Sequence, residues 1–208
     1  MGKLLTTGLT SSILIVSLLL IGITVASVLT SETTDTISEQ DIEQMTEETI
    51  DEISTYILIK DQIGKYSNIN GEQRIEKIAL WITPLVTQEI DISKLTIKLN
   101  NGDNVIFLKY SNNSLTLGSY SLFEHKIWEN INGSNFGFIS IIDMDESLVN
   151  FDILNDCSDN AYIVLKLPEY MTLSKHEKMI VTLFPSTGIT RTIELKAPLP
   201  IKSIVSFD

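Results

Sequence analysis

Asp143 and Asp145 alternate in the stretch DMDES (Asp143–Ser147), and DILNDCSDN (Asp152–Asn160) follows with more carboxylates. Alternating Asp residues in a loop can offer oxygen ligands to a hard cation such as Ca2+. The complete EF-hand spacing, with its central Gly and closing Glu, is absent, so the same residues also read as a solvated acidic loop. Asn112-Asn113-Ser114 and Asn132-Gly133-Ser134 match the acceptor pattern for an N-linked glycan, and both fall in turn-rich stretches. His125 and His176 are the two histidines, far apart in segments that read as loop or strand end, so they carry a structural or surface reading. Cys157 is the single cysteine, which excludes an intramolecular disulfide. No Ser sits in a nucleophile elbow, and no Gly-rich phosphate loop follows a strand. The expectation is a protein without enzymatic activity and without a resident cofactor, a glycan and Ca2+ being the two groups its residues could carry.

Charge narrows the partners. The 208 residues have a net charge of −12, with 43% hydrophobic and 20% charged residues. Nucleic-acid binding through bulk charge is excluded, because phosphate contacts need Lys and Arg. The acidity is patterned. Leu4 to Ser31 contains no Asp, Glu, Lys or Arg, whereas Glu32 to Glu52 carries nine carboxylates and no basic residue.

As a helix the uncharged stretch would span about 40 Å, more than the hydrocarbon thickness of a bilayer. Gly8 and Gly22, with several Ser and Thr, interrupt the Leu, Ile and Val, and small residues let helix backbones approach closely in apolar surroundings. Three readings fit this composition. It could be a secretory signal with Lys3 at its start and a cleavage site near Thr24-Val25-Ala26, a single-pass anchor, or a helix that packs on copies of itself. No Gly or Pro occurs between Ile23 and Gly64, and Ile37, Ile42, Met45, Ile50, Ile53 and Ile57 continue as a stripe at helical spacing. The pattern predicts one helix from about Leu4 to about Leu58, apolar all round at first and amphipathic later. The rest of the chain is too small to cover a helix of roughly 80 Å, so it asks for neighbours.

From Ile59 the period changes to that of strands. Ser93–Leu99 places Leu95, Ile97 and Leu99 on one face with Thr96 and Lys98 on the other. Asn100–Asp103 is a hairpin turn, and Asn104–Tyr110 returns. Arg74–Pro84, Phe136–Asp143, Ala161–Leu167, Lys178–Phe184 and Arg191–Ala197 complete seven or eight strands with no helical crossover between them. The predicted class is therefore α+β: a long N-terminal hydrophobic α-helix, residues 1–58, and an all-β head, residues 59–208, built as an antiparallel sandwich of immunoglobulin-like architecture.

Taken in order, these segments resemble the archaellins (archaeal flagellins) of the type IV pilin superfamily. The resemblance rests on the uncharged helix, IEKIALWITPLVTQEIDISKLTIKL (Ile75–Leu99), FGFISIIDMDESL (Phe136–Leu148) and the closing FPSTGITRTIELKAPLPI (Phe184–Ile201). It implies a structural filament subunit for swimming motility, held in the membrane before assembly and extracellular afterwards. Its partners would be copies of itself and sister archaellins, with torque supplied by a separate ATP-driven motor. Polymerisation would run through the N-terminal helix, at Gly8, Leu14, Leu18, Gly22 and Val25 in its apolar half and Ile42, Ile50 and Ile53 in its acidic half. An adhesive type IV pilus subunit, a minor filament component and a single-pass membrane-anchored surface binding protein share the same plan.

Overall fold

The computed structural model describes residues 56–87, 89–186 and 189–207. The predicted helix up to residue 55, with all eight of its polymerisation positions, lies outside the described residues. The longer strands are β1 (Ile57–Ile69), β2 (Glu72–Pro84), β4 (Thr96–Asn100), β5 (Val105–Thr116), β6 (Asn135–Ile142), β8 (Asn160–Lys166), β9 (Lys178–Phe184) and β10 (Arg191–Lys196). The short β3 (Ile90–Asp91) pairs with β7 (Ile153–Leu154), and β11 (Ile204–Ser206) lies at an edge. Nine strands form one sheet in the order β10-β9-β4-β5-β6-β8-β2-β1-β11.

This arrangement corrects the predicted head in three ways. The sandwich is one continuous sheet curled on itself, in place of two separate sheets of immunoglobulin type. The main core gathers Val181, Leu195 and Leu99 from one end of the strand order and Ile78, Leu80 and Ile163 from the other. The pairing is not wholly antiparallel, because β5 and β6 run parallel. Parallel neighbours need a crossover, and residues 117–134 supply it with two 3-10 turns, Leu122–Glu124 and Lys126–Glu129. Finally, β1 begins at Ile57, where the helical stripe was expected to continue to Leu58. Ile57 pairs with Pro84, and the Leu85 N–H donates to the Tyr56 carbonyl, so the backbone there is committed to the sheet.

Local sequence explains most of the pattern. On β4, Leu95, Ile97 and Leu99 are buried as the alternation requires. Gly102, at φ +95°, turns the β4–β5 hairpin. On β2, Ile75 and Ile78 both face the core although three positions separate them, because the register shifts at Glu76. Such a bulge reverses the pleat.

The crossover covers part of the sheet's outer face. Phe123, Ile127, Trp128 and Ile131 form a second core with Ala79, Ile139 and Val164. Phe123 stacks on Trp128 at 5.7 Å, and the Trp128 Nε1–H donates to the Leu122 carbonyl at 2.8 Å. The Lys77 ammonium lies 5.0 Å from the Trp128 ring centre, and burial, then the nearby Lys65, pulls its pKa down. Strands β6 and β8 are thus buried on both faces, which is why they read as nearly continuous apolar runs.

Gly137 sits where the bulged part of β5 passes β6. A Cβ there would lie 2.9 Å from the Asn113 carbonyl oxygen and 3.1 Å from Ile127 Cδ1. Backbone cannot move aside cheaply, so Gly137→Ala is expected to destabilise the head by about 1–3 kcal/mol, read as a lower denaturation midpoint.

Candidate functional site

The acidic loops come together at one end of the sheet. Strand β6 ends at Ile142 and delivers Asp143 and Asp145 into the loop before the short helix Ser147–Phe151. Asp159 arrives from the loop that leads into β8. One oxygen from each of Asp143, Asp145 and Asp159 lies within 4.8 Å of the others. Sequence reasoning singled out the first two. Asp159 belongs to the second acidic stretch, but only the β3–β7 pairing and the sheet bring it to this point. Asp152, from the same stretch, turns away and accepts from the Tyr110 hydroxyl instead.

The three carboxylates are held differently. Asp159 is 1% exposed, and its Oδ2 accepts the backbone N–H groups of Asn155 and Asp156, both at 3.1 Å. Asp145 is exposed. It accepts from Asn155 Nδ2 at 2.6 Å and from the Ser147 N–H at 3.1 Å, and these bonds hold its pKa down at about 2. Asp143 accepts from the Val149 N–H through Oδ2 at 3.3 Å, while its buried Oδ1 has no partner among the described residues. Burial raises the Asp143 pKa, and the neighbouring carboxylates of Asp145 and Asp159 raise it further. Among the described residues no nucleophile or base joins them, and three oxygens this close could serve as ligands to a hard cation.

Of the two histidines, His125 is structural and His176 lies at the surface. His125 is 2% exposed, and its Nδ1 accepts from the Ile127 N–H at 3.2 Å, which leaves Nε2–H to donate to the Thr116 carbonyl at 3.1 Å. Both ring nitrogens are thereby used, Nδ1 within the crossover and Nε2 in tying it to the end of β5. His176 is exposed in a turn at φ +65°. Cys157 is exposed, with the Thr87 hydroxyl 3.9 Å from its sulfur.

The two glycan acceptors differ in setting. Asn112 is exposed at the bulge of β5, at φ +57°, and its Ser114 hydroxyl is engaged with the Tyr110 hydroxyl at 2.8 Å. Asn132 is exposed in the crossover, and its Oδ1 accepts both the Ser134 N–H at 2.9 Å and the Ser134 hydroxyl at 2.6 Å. Both side chains stand outside the two cores, where a glycan costs no packing.

Known proteins are similar to this chain in sequence and in fold. The family model for archaeal-type flagellin matches residues 6–195. Flagellin B5 of Pyrococcus abyssi is 24% identical over 147 residues, covering 65% of this chain and 66% of that one. Flagellin B3 of Methanocaldococcus jannaschii is 28% identical over 133 residues, 61% of each chain. The chain thus spans just under two thirds of the length of the curated relatives it matches. The crystal structure of archaeal flagellin FlaB1 from Methanocaldococcus jannaschii superposes with a TM-score of 0.62 at 20% identity, covering 73% of this chain and 95% of that one. The archaeal flagellum of Methanospirillum hungatei gives 0.50 at 10% identity, covering 92% and 93%. At these identities the structural likeness establishes the fold, while the sequence match takes in the uncharged N-terminal stretch as well as the curled sheet, and on that extent this chain belongs to the archaeal-type flagellin family.

Proposed function

We propose that this chain is a structural subunit of the archaellum filament, polymerising through its N-terminal helix to serve swimming motility. The observation that carries the reading is the family match over residues 6–195, which joins the charge-free segment to the sheet in one continuous assignment. Before assembly the charge-free helix sits in the membrane, where a helix satisfies its own backbone. On assembly it exchanges lipid for copies of itself and sister archaellins, with small residues such as Gly8 and Gly22 allowing close approach. The head then lies outside the cell. The chain performs no chemistry, and the filament is a passive screw.

Negative-stain electron microscopy of material sheared from cells, with mass spectrometry of its main band, tests this. Filaments built from this chain, and cells that stop swimming when it is deleted, support the reading. Filaments whose loss leaves swimming intact point to an adhesive pilus or a minor component. A chain found only in the membrane fraction is an anchored surface protein.

Two attachments accompany the proposal. Asn112 and Asn132 carry N-linked glycans, so Asn112→Gln and Asn132→Gln should each remove the mass of one glycan from the intact subunit. Asp143, Asp145 and Asp159 hold a divalent cation, Ca2+ by the hardness of their oxygens.

A further inference from the structure

The crossover 117–134 leaves bare the outer face of β5, β4, β9 and β10. Outward positions alternate with buried ones there, and they bring Val105, Phe107 and Ile180 together. In register, Val105 stands opposite Asn100, which stands opposite Ile180, and Phe107 stands opposite Lys98. These three side chains are 50%, 57% and 40% exposed. Outward lysines ring them: Lys98, Lys109, Lys178 and Lys196. The one outward carboxylate on these strands, Glu194, pairs with Lys178 at 2.6 Å. Asp103 stands beyond, at the hairpin tip. Lys98 and Lys109 make no ion pair among the described residues. In a chain with a net charge of −12 this is a locally basic, apolar face.

A second exposed apolar patch has the opposite charge. Ile142, Met144 and Phe151 are 48%, 88% and 69% exposed around the loop that follows β6. Asp145 and Asp156 line one groove with Met144, Glu146 is exposed in the same loop, and no Lys or Arg occurs anywhere from Ile127 to Leu165. The two patches face different ways. Tyr110 points to the inner side of β5 and reaches Asp152 beside the acidic loop, whereas Phe107 and Lys109 alternate to the outer side.

We infer that the basic face around Phe107 docks on the acidic patch around Met144 of a second copy of this chain. Apolar area drives the contact, and the opposed charges fix its register. Each patch placed on its own copy would oppose like charges, so an isologous pair is disfavoured. A contact between two different patches is heterologous and leaves one of each free on the pair, which is the geometry that continues into a filament. The inference rests on the filament reading and adds which surfaces of the head meet.

The test uses the full chain in filaments sheared from cells. With Cys157→Ser as background, Phe107→Cys and Met144→Cys are introduced together, and filaments are oxidised before denaturing electrophoresis. A ladder of disulfide-linked multimers, absent when either cysteine stands alone, is the expected result. Filaments that form normally yet give no ladder overturn this contact while leaving the filament reading intact. Failure of the unsubstituted chain to enter any filament overturns both. As an independent check, Lys98→Glu with Lys109→Glu should lower the salt or heat needed to dissociate filaments, and adding Glu146→Lys should recover at least half of the loss. Both sets of changes lie on exposed or half-exposed side chains, and unchanged circular dichroism of the solubilised subunit separates a lost contact from a lost fold. No recovery by Glu146→Lys overturns the pairing.

Discussion

Phe138→Ala is expected to cost the head about 3–5 kcal/mol, the range for emptying a fully enclosed aromatic site. Phe138 is fully buried on β6, between β5 and β8. Its ring meets Phe136 and Tyr110 edge-on, with centroids 5.7 Å away in each case. Truncation therefore removes two aromatic contacts together with the apolar area, and the sheet cannot close the gap because both neighbouring strands are fixed by their ladders. The two sides of the curled sheet share this core, so the loss reaches β4 and β9 as well as β6. Chemical denaturation of the detergent-solubilised subunit measures it, with Tyr170→Ala as the comparison. Tyr170 is 62% exposed, and its removal should stay within about 0.5 kcal/mol. A cost for Phe138→Ala close to that of Tyr170→Ala would mean that the core is loosely filled.

Which parts of the head were legible follows from how strongly each strand's side chains are sorted. β4 alternates cleanly because one face is core and the other solvent. β6 and β8 were found from unbroken apolar runs, because the crossover buries their second face. β1 carries no clear strand signal, because Lys60, Asp61, Gln62 and Lys65 break its pattern. Its strand character comes from long pairing with β2 and from β11, both of which are tertiary facts. The strand signal of β5 stops at Tyr110, since the polar residues Ser111 to Ser114 look like a turn. They form a bulge, and β5 pairs in parallel with β6 on both sides of it, at Lys109 and Tyr110 and again from Ser114 to Thr116. Parallel pairing leaves no local mark on sequence, so an antiparallel sandwich was the natural expectation. The acidic site was half legible for a similar reason. Asp143 and Asp145 declare themselves by alternation, whereas Asp159 joins them only after the chain has passed through the short helix and β7.

Ca2+ at about a hundredfold excess over its dissociation constant is expected to stabilise the head by about 2.7 kcal/mol, and chelation should reverse the gain. The reason is electrostatic. Three carboxylates converge within 4.8 Å, with Asp159 buried, Asp143 half-buried and Asp145 exposed, and like charges so close repel. The loop backbone already holds Asp159 and Asp145 in place through N–H groups, so the cluster cannot relax by swinging its side chains apart. The buried Asp143 Oδ1 has no donor among the described residues. A cation would satisfy that oxygen and cancel the repulsion together. Because the unfolded chain scatters the three residues, the whole binding free energy appears as folding stability. Thermal denaturation of filaments with Ca2+ and with chelator measures the shift. Asp145→Asn should abolish most of it while keeping its place in the loop, since an amide oxygen can still accept from Ser147. Glu146→Gln, adjacent but outside the cluster, should leave it unchanged. If Glu146→Gln reduced the shift as much as Asp145→Asn, the ion would be responding to the general acidity of the loop, and the three converging oxygens would have no special claim on it.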